Sequence, residues 1–176
     1  MGNFYTNITV WGPRINQAPG LIRDLGREAY IINCNDACVI YDRECENQDS
    51  EILAALAEHV ASKLETISFA VLNHDDDILW FQLYNGSDLV AEYANQGGPK
   101  TDVQALCKTF NRPGTTIQVR WFLLKPFIFQ VTRHDRLARA LGIPAESVGF
   151  GYHYINKGEL PAGIEKDEVI HITRWV

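Results

Sequence analysis

Ala29-Tyr30-Ile31-Ile32-Asn33-Cys34-Asn35-Asp36-Ala37-Cys38-Val39-Ile40-Tyr41 is the run that decides the fold. Ala29 to Asn33 and Cys38 to Tyr41 are apolar and rich in strand-forming residues. Asn35-Asp36 between them suits a tight turn, because these side chains bond their own backbone and tolerate left-handed conformations. Two strands therefore follow one another directly, with helical periodicity on either side. Upstream, Phe4 to Trp11 alternates as a strand does, and Gly12-Pro13 ends it. Leu21, Ile22, Leu25 and Ala29 then recur at helical spacing after Pro19, with Gly26 as the weak point. Downstream, Leu53, Leu56, Ala57, Val60, Ala61 and Leu64 form one apolar stripe that Asp49 can cap and Glu51 complements, while His59 falls off its centre. Ile67 to Leu72 reads as the next strand.

The order strand, helix, strand, strand, helix, strand is the split βαβ order of a ferredoxin-like unit. Ile78 to Tyr84 and Leu89 to Tyr93 extend it as a hairpin through Asn85-Gly86-Ser87-Asp88, the strongest short hairpin signal in the chain. Thr101 or Asp102 caps a helix that runs to Phe110 and stops at Asn111-Arg112-Pro113-Gly114. Residues 115–125 carry both periodicities and lean to helix. Phe127, Val131, His134, Ala138 and Leu141 line one side of a further helix, with Gly142 as its left-handed cap and Pro144 beyond. Val148 to Ile155 and Val169 to Trp175 complete the reading as strands. The expected fold is α+β: one domain over 1–176, mainly an antiparallel sheet with helices packed on it.

The chain has 176 residues, of which 46% are hydrophobic and 22% charged, the balance of one packed soluble globule. Met1 to Thr6 lacks the basic start and apolar core of a secretory leader. The longest apolar run, Trp121 to Val131, is interrupted by Lys125-Pro126 and too short to cross a bilayer. These features predict a cytoplasmic protein with no membrane partner. Cys34, Cys38, Cys45 and Cys107 lack the density of a disulfide scaffold. The first three have the wrong spacing for a two-knuckle zinc site, and Cys107 belongs to a helix core.

Leu72-Asn73-His74-Asp75-Asp76-Asp77-Ile78 sets one histidine and three aspartates between two strands. In extended chain Asp75 and Asp77 would share one side, and His74 and Asp76 the other. Asp75 with Asp77 is the candidate metal pair, supplying part of an oxygen set for a divalent cation. The competing reading, a polar turn held by its own aspartates, is preferred. No cofactor is expected.

Val148-Gly149-Phe150-Gly151-Tyr152-His153 is the second candidate pocket. As a strand it would place Gly149, Gly151 and His153 on one face, where two glycines imply close approach by something bulky, a packed helix in preference to a ligand beside His153. His134 sits on an apolar helix face beside Asp135, where a core role is the ordinary one. The aromatics Trp121, Phe122, Phe127 and Phe129 read as core.

Charge is unevenly distributed. Residues 1–95 hold five Lys/Arg against fifteen Asp/Glu, a net −10. Residues 96–142 hold eight against two, a net +6, and the remainder carries −2. Arg133, Arg136 and Arg139 drift around one side of a helix and form a candidate face for an anion or an acidic partner, although a solvated face that pairs with the acidic first half of the same chain is the preferred reading. Nucleic acid is disfavoured, since no recognition motif accompanies them.

Three functions follow, in order of preference. The first is a non-enzymatic binding or interaction domain with a protein partner. The second is a metal-assisted hydrolase or transferase using Asp75 and Asp77, with His74, His134 or His153 as acid–base. The third is an anion or nucleic-acid binder acting through the three arginines.

Overall fold

In the computed structural model, which describes residues 2–97 and 101–174, the chain up to His74 runs as β1 (Tyr5–Trp11), α1 (Ala18–Asp24), β2 (Ala29–Cys34), β3 (Ala37–Asp42), α2 (Ser50–Leu64) and β4 (Ile67–His74). Hydrogen bonding sets these strands in the order β4-β1-β3-β2, every pair antiparallel. Each helix thus joins two strands that a third separates, the ferredoxin-like arrangement that the sequence order predicts. Asn35-Asp36 turn the chain between Cys34 and Ala37, with Asn35 in the left-handed region at φ 52°.

The sheet then grows at both edges. β5 (Ile78–Asn85) and β6 (Asp88–Ala94) add to β4, with Gly86 at φ 59° in the loop between Asn85 and Asp88. β7 (Val169–Ile172) pairs with β2 at the far side, giving β6-β5-β4-β1-β3-β2-β7 among the described residues.

Both faces of the sheet are covered. Ile8, Val10, Ala70 and Leu72 point to the face on which α1 and α2 bury Ile22, Leu53, Ala57 and Val60. Alternation turns Tyr5, Phe69, Val71 and Phe81 to the opposite face. There they lie beneath α3 (Val103–Thr109), α4 (Thr116–Leu124) and α5 (Gln130–Leu141). Ile32, Val39 and Tyr41, on that side too, meet α6 (Tyr152–Asn156). Burial from two sides explains why β3 is buried along its whole length and reads as a continuous apolar run.

Helix starts follow local chemistry where a side chain can supply it. Asp49 Oδ1 accepts from the backbone N–H groups of Glu51 and Ile52 at 2.9 and 3.2 Å. Asp102 does the same for Gln104 and Ala105 at 3.0 Å each. Such caps contribute about 1 kcal/mol apiece. Gly142 takes the expected left-handed cap at φ 76°. The ambiguous 115–125 stretch is helical as α4, with Val119 and Leu123 buried.

Three expectations fail in detail. Residues 127–129 are not helical: Lys125 is extended ahead of Pro126, whose ring disfavours helical backbone before it, and the helix begins at Gln130. Val148 to Ile155 is not a strand. Gly149 at φ 82° breaks the extended path, and Gly151 opens α6 instead. The last strand ends at Ile172, and Trp175 lies outside the described residues.

Candidate functional site

The His74–Asp77 cluster is the β4–β5 turn. Asp75, Asp76 and Asp77 span the loop between the paired His74 and Ile78, and the Asp77 N–H donates to the His74 carbonyl at 3.0 Å. Asp75 and Asp76 are both left-handed, at φ 52° and 57°. The side-by-side placement of Asp75 with Asp77 required extended backbone and does not arise. His74, Asp75 and Asp77 are exposed, and Asp75 Oδ1 accepts from the Gly2 N–H at 3.0 Å. Among the described residues no three His, Cys, Asp or Glu side chains gather into a metal-binding group.

Asp76 is the member of the cluster that matters to the fold. It is buried, and its Oδ1 accepts from the Val131 N–H and the Asn73 amide, each at 3.2 Å. Its Oδ2 accepts from the Asn3 N–H at 3.2 Å, and its own carbonyl accepts from the Gln130 N–H at 2.9 Å. Gln130 and Val131 open α5, whose own cap residue, Phe129, offers no acceptor. Asp76 therefore caps a helix 55 residues away, placing its carboxylate where the helix dipole favours negative charge.

From Asp76 a buried polar chain continues inward. The Asn73 amide reaches the Tyr5 hydroxyl at 3.5 Å, and that hydroxyl lies 2.9 Å from His134 Nδ1. Burial lifts the Tyr5 pKa far above the usual phenol range, so Tyr5 stays protonated. The hydroxyl and Nδ1 share one hydrogen bond, and the other ring nitrogen, Nε2, is buried without a partner among the described residues. Burial pushes the His134 pKa down to about 4, which keeps the imidazole neutral. His134 is a core histidine, as expected, but its partner is a side chain of β1.

At 149–153 the close approach inferred from the glycines holds for Gly151 alone. A Cβ there would lie 2.7 Å from Glu46 Oε2 and 3.1 Å from the Tyr5 Cα, so neither a ligand nor a packed helix occupies the space. The Glu46 carboxylate accepts from the Tyr152 and His153 N–H groups at 3.1 and 3.3 Å. Burial raises its pKa to about 6 although both N–H groups act the other way. The His153 side chain is exposed.

The three arginines do not form a face. Steps of three residues rotate about −60° on a helix, so Arg133 turns inward while Arg136 and Arg139 remain exposed. Arg133 donates to Gln130 Oε1 and the Lys125 carbonyl, each at 2.7 Å. Its guanidinium lies over the rings of Phe127 and Tyr93, at 5.1 and 5.7 Å. No carboxylate pairs with it among the described residues, and burial lowers its pKa. Arg139 is engaged by Asp135 at 2.9 Å.

The cysteines divide likewise: Cys38 and Cys45 face the α1–α2 side, while Cys34 packs on the other. A cleft of about 370 Å³ lined by Glu28, Arg43, Glu44, Asn47 and Arg174 was not legible in the sequence. Its charges are internally paired, Arg43 with Glu28 at 2.6 Å and Arg174 with Glu44 at 3.7 Å.

The surface with no such internal explanation is α4 and the segment after it. Nine large apolar side chains are exposed among the described residues, and five lie within 117–129. Ile117 is 87% exposed, Trp121 61% and Leu124 76%, one stripe at i, i+4 and i+7 on the side of α4 opposite Val119 and Leu123. Ile128 at 86% and the exposed Phe129 continue it. A groove of about 450 Å³ adjoins them, lined by Phe122, Pro126, Phe127, Ile128, Phe129, Lys125, Thr132 and Arg136. The expectation that Trp121 and Phe129 are core is wrong, and Phe122 and Phe127 are half-buried. A signal existed: 117–124 carries apolar residues on two opposite sides of the helix, Val119 and Leu123 against Ile117, Trp121 and Leu124. Only Gln118 and Arg120 are polar between them, and a second apolar side marks either full burial or a second contact surface.

No protein-family model, curated protein or solved structure matches this chain. Its class is defined by the fold: an α+β domain, a ferredoxin-like β4-β1-β3-β2 core extended to seven antiparallel strands with helices on both faces. No helix among the described residues is long and apolar enough to cross a membrane.

Proposed function

We propose that this chain is a non-enzymatic cytoplasmic interaction domain that docks a protein partner on the apolar surface of α4 and residues 125–129. One observation carries the reading: five of the nine exposed large apolar side chains cluster within thirteen residues. Scattered single hydrophobics are normal on protein surfaces, whereas a contiguous group beside a groove marks a contact site. The separation of the acid–base candidates supports a non-enzymatic role. His134 is sealed in the core, and His74 and His153 are exposed on different elements. Four free cysteines support a reducing compartment.

A photo-crosslinking residue placed at Trp121, with Leu89 on β6 as the exposed control, tests the docking surface. The expected result is a partner captured from position 121 and not from 89. Once purified, that partner should bind the native chain and lose binding to Leu124→Ser/Ile128→Ser. Equal capture at both positions, or none, removes the reading.

A further inference from the structure

Resting on that docking surface, we infer that its partner is an acidic polypeptide segment carrying aromatic or aliphatic anchor side chains.

The charge around the surface points to this chemistry. From Val103 to His134 the chain contains no Asp or Glu, while Lys108, Arg112, Arg120, Lys125 and Arg133 all fall within it. Every exposed apolar residue of the patch lies in that same stretch. Arg120, Lys125 and Arg136 are exposed, and Lys125 and Arg136 line the groove itself. Against the Phe127 ring, which also lines it, lies the buried guanidinium of Arg133, which among the described residues has no carboxylate partner and an unpaired Nε–H. The groove thus sets apolar side chains between Lys125 and Arg136 with no carboxylate in its lining, in a chain whose net charge is −6. The nearby Asp76 is engaged by the first turn of α5, and Asp135 by Arg139. Like charges set against one another disfavour association and opposite charges steer it.

The same pattern decides against other occupants. A symmetric self-dimer through α4 would set each basic rim against its copy, with no carboxylate in 103–134 to separate them. Single-stranded nucleic acid is bound by stacking on aromatic faces, but Ile117, Leu124 and Ile128 are aliphatic and dominate the exposed stripe. A concave slot of about 450 Å³ accepts one or two anchor side chains. Carboxylates flanking those anchors would meet Lys125 and Arg136.

Selection of a random peptide display library on the intact chain reads the chemistry directly, with counter-selection on Leu124→Ser/Ile128→Ser. The expected pool is rich in Asp and Glu around Trp, Phe or Leu. Its binding should weaken with salt and fall about tenfold or more for Lys125→Glu/Arg136→Glu. All four substituted side chains are exposed or line the groove, so both double variants should fold, which circular dichroism checks. An apolar pool without acidic bias, unaffected by the charge reversals, overturns the inference and leaves the docking surface standing. No pool that distinguishes the native chain from Leu124→Ser/Ile128→Ser overturns both.

Two control measurements assign the alternatives. Co-sedimentation with phosphatidylcholine vesicles containing phosphatidylglycerol, without peptide enrichment, would give the surface to an anionic lipid interface and overturn the inference. Concentration-dependent self-association of the native chain, abolished by Lys125→Glu/Arg136→Glu, would give it to the acidic half of a second copy, with the same consequence.

Discussion

The 74–77 turn and the 117–129 segment invert each other. The most acidic run of the chain places one carboxylate in the interior, where Asp76 ties β4, the amino-terminal strand entry and α5 together. One of its most apolar runs leaves isoleucine, tryptophan and leucine in water. The difference teaches that side-chain polarity ranks tendencies while backbone obligations and available partners decide positions. The first turn of α5 has N–H groups that its own sequence does not satisfy, so a distant acid is drawn in. α4 needs only one face to cover the sheet, and Val119 and Leu123 supply it. The opposite face is left for something else.

Mutagenesis can break this contrast. Asp76→Ala is expected to destabilise the chain by about 4 kcal/mol, from loss of a helix cap plus unpaired N–H groups of Asn3 and Val131 and an unpaired Asn73 amide. Asp75→Ala should cost no more than about 1 kcal/mol. Both sites have left-handed backbone, so that contribution cancels in the comparison. Urea unfolding of the two variants checks it, and equal losses would sink the account of Asp76 as a long-range cap.

Within α4 the two faces should separate as cleanly. Leu123→Ala is expected to lose about 3 kcal/mol, and the adjacent Leu124→Ala less than about 0.5 kcal/mol. Similar melting temperatures for both would mean that the exposed stripe is covered in solution.

The pH dependence comes next. The His134 pKa is lowered from 6.5 to about 4, so the unfolded chain takes up this proton first as pH falls. Stability is therefore lost progressively between about pH 6.5 and 4, by roughly 3 kcal/mol at most. Glu46 acts oppositely: its pKa is raised to about 6, and its contribution is greatest below the unfolded value of 4.5 and lost as pH rises through 6. Denaturant melts across this window should be flatter below pH 6.5 in His134→Gln than in the native chain, whatever the variant's absolute stability. An unchanged slope would show that His134 is not held neutral. The smallest expected effect is that of Trp121→Ser, within about 0.5 kcal/mol, read as shorter retention on a hydrophobic column with an unchanged melt.

Much of the fold was legible because it depends on local rules. The Ala29–Tyr41 hairpin, the Asp49 cap and the Asn85–Asp88 turn each need only residues near in sequence. Val148 to Ile155 misled because its alternation ignores Gly149, where a positive φ ends any extended path. The site was less legible. Arg133, Arg136 and Arg139 looked alike, and only the orientation of α5 buries the first. Trp121 and Phe129 looked like core because large aromatics usually are.

By itself the sequence determined the order of strands and helices as far as Ala94, the turns between them and the polarised charge. All of these follow from periodicity, capping and composition over short distances. Tertiary structure alone decided that β7 pairs with β2, that Asp76 caps α5, that Tyr5 meets His134, and that the second apolar face of α4 stays bare. Those outcomes join residues far apart in the chain, and no local pattern records which distant group will satisfy a buried donor or cover an apolar face.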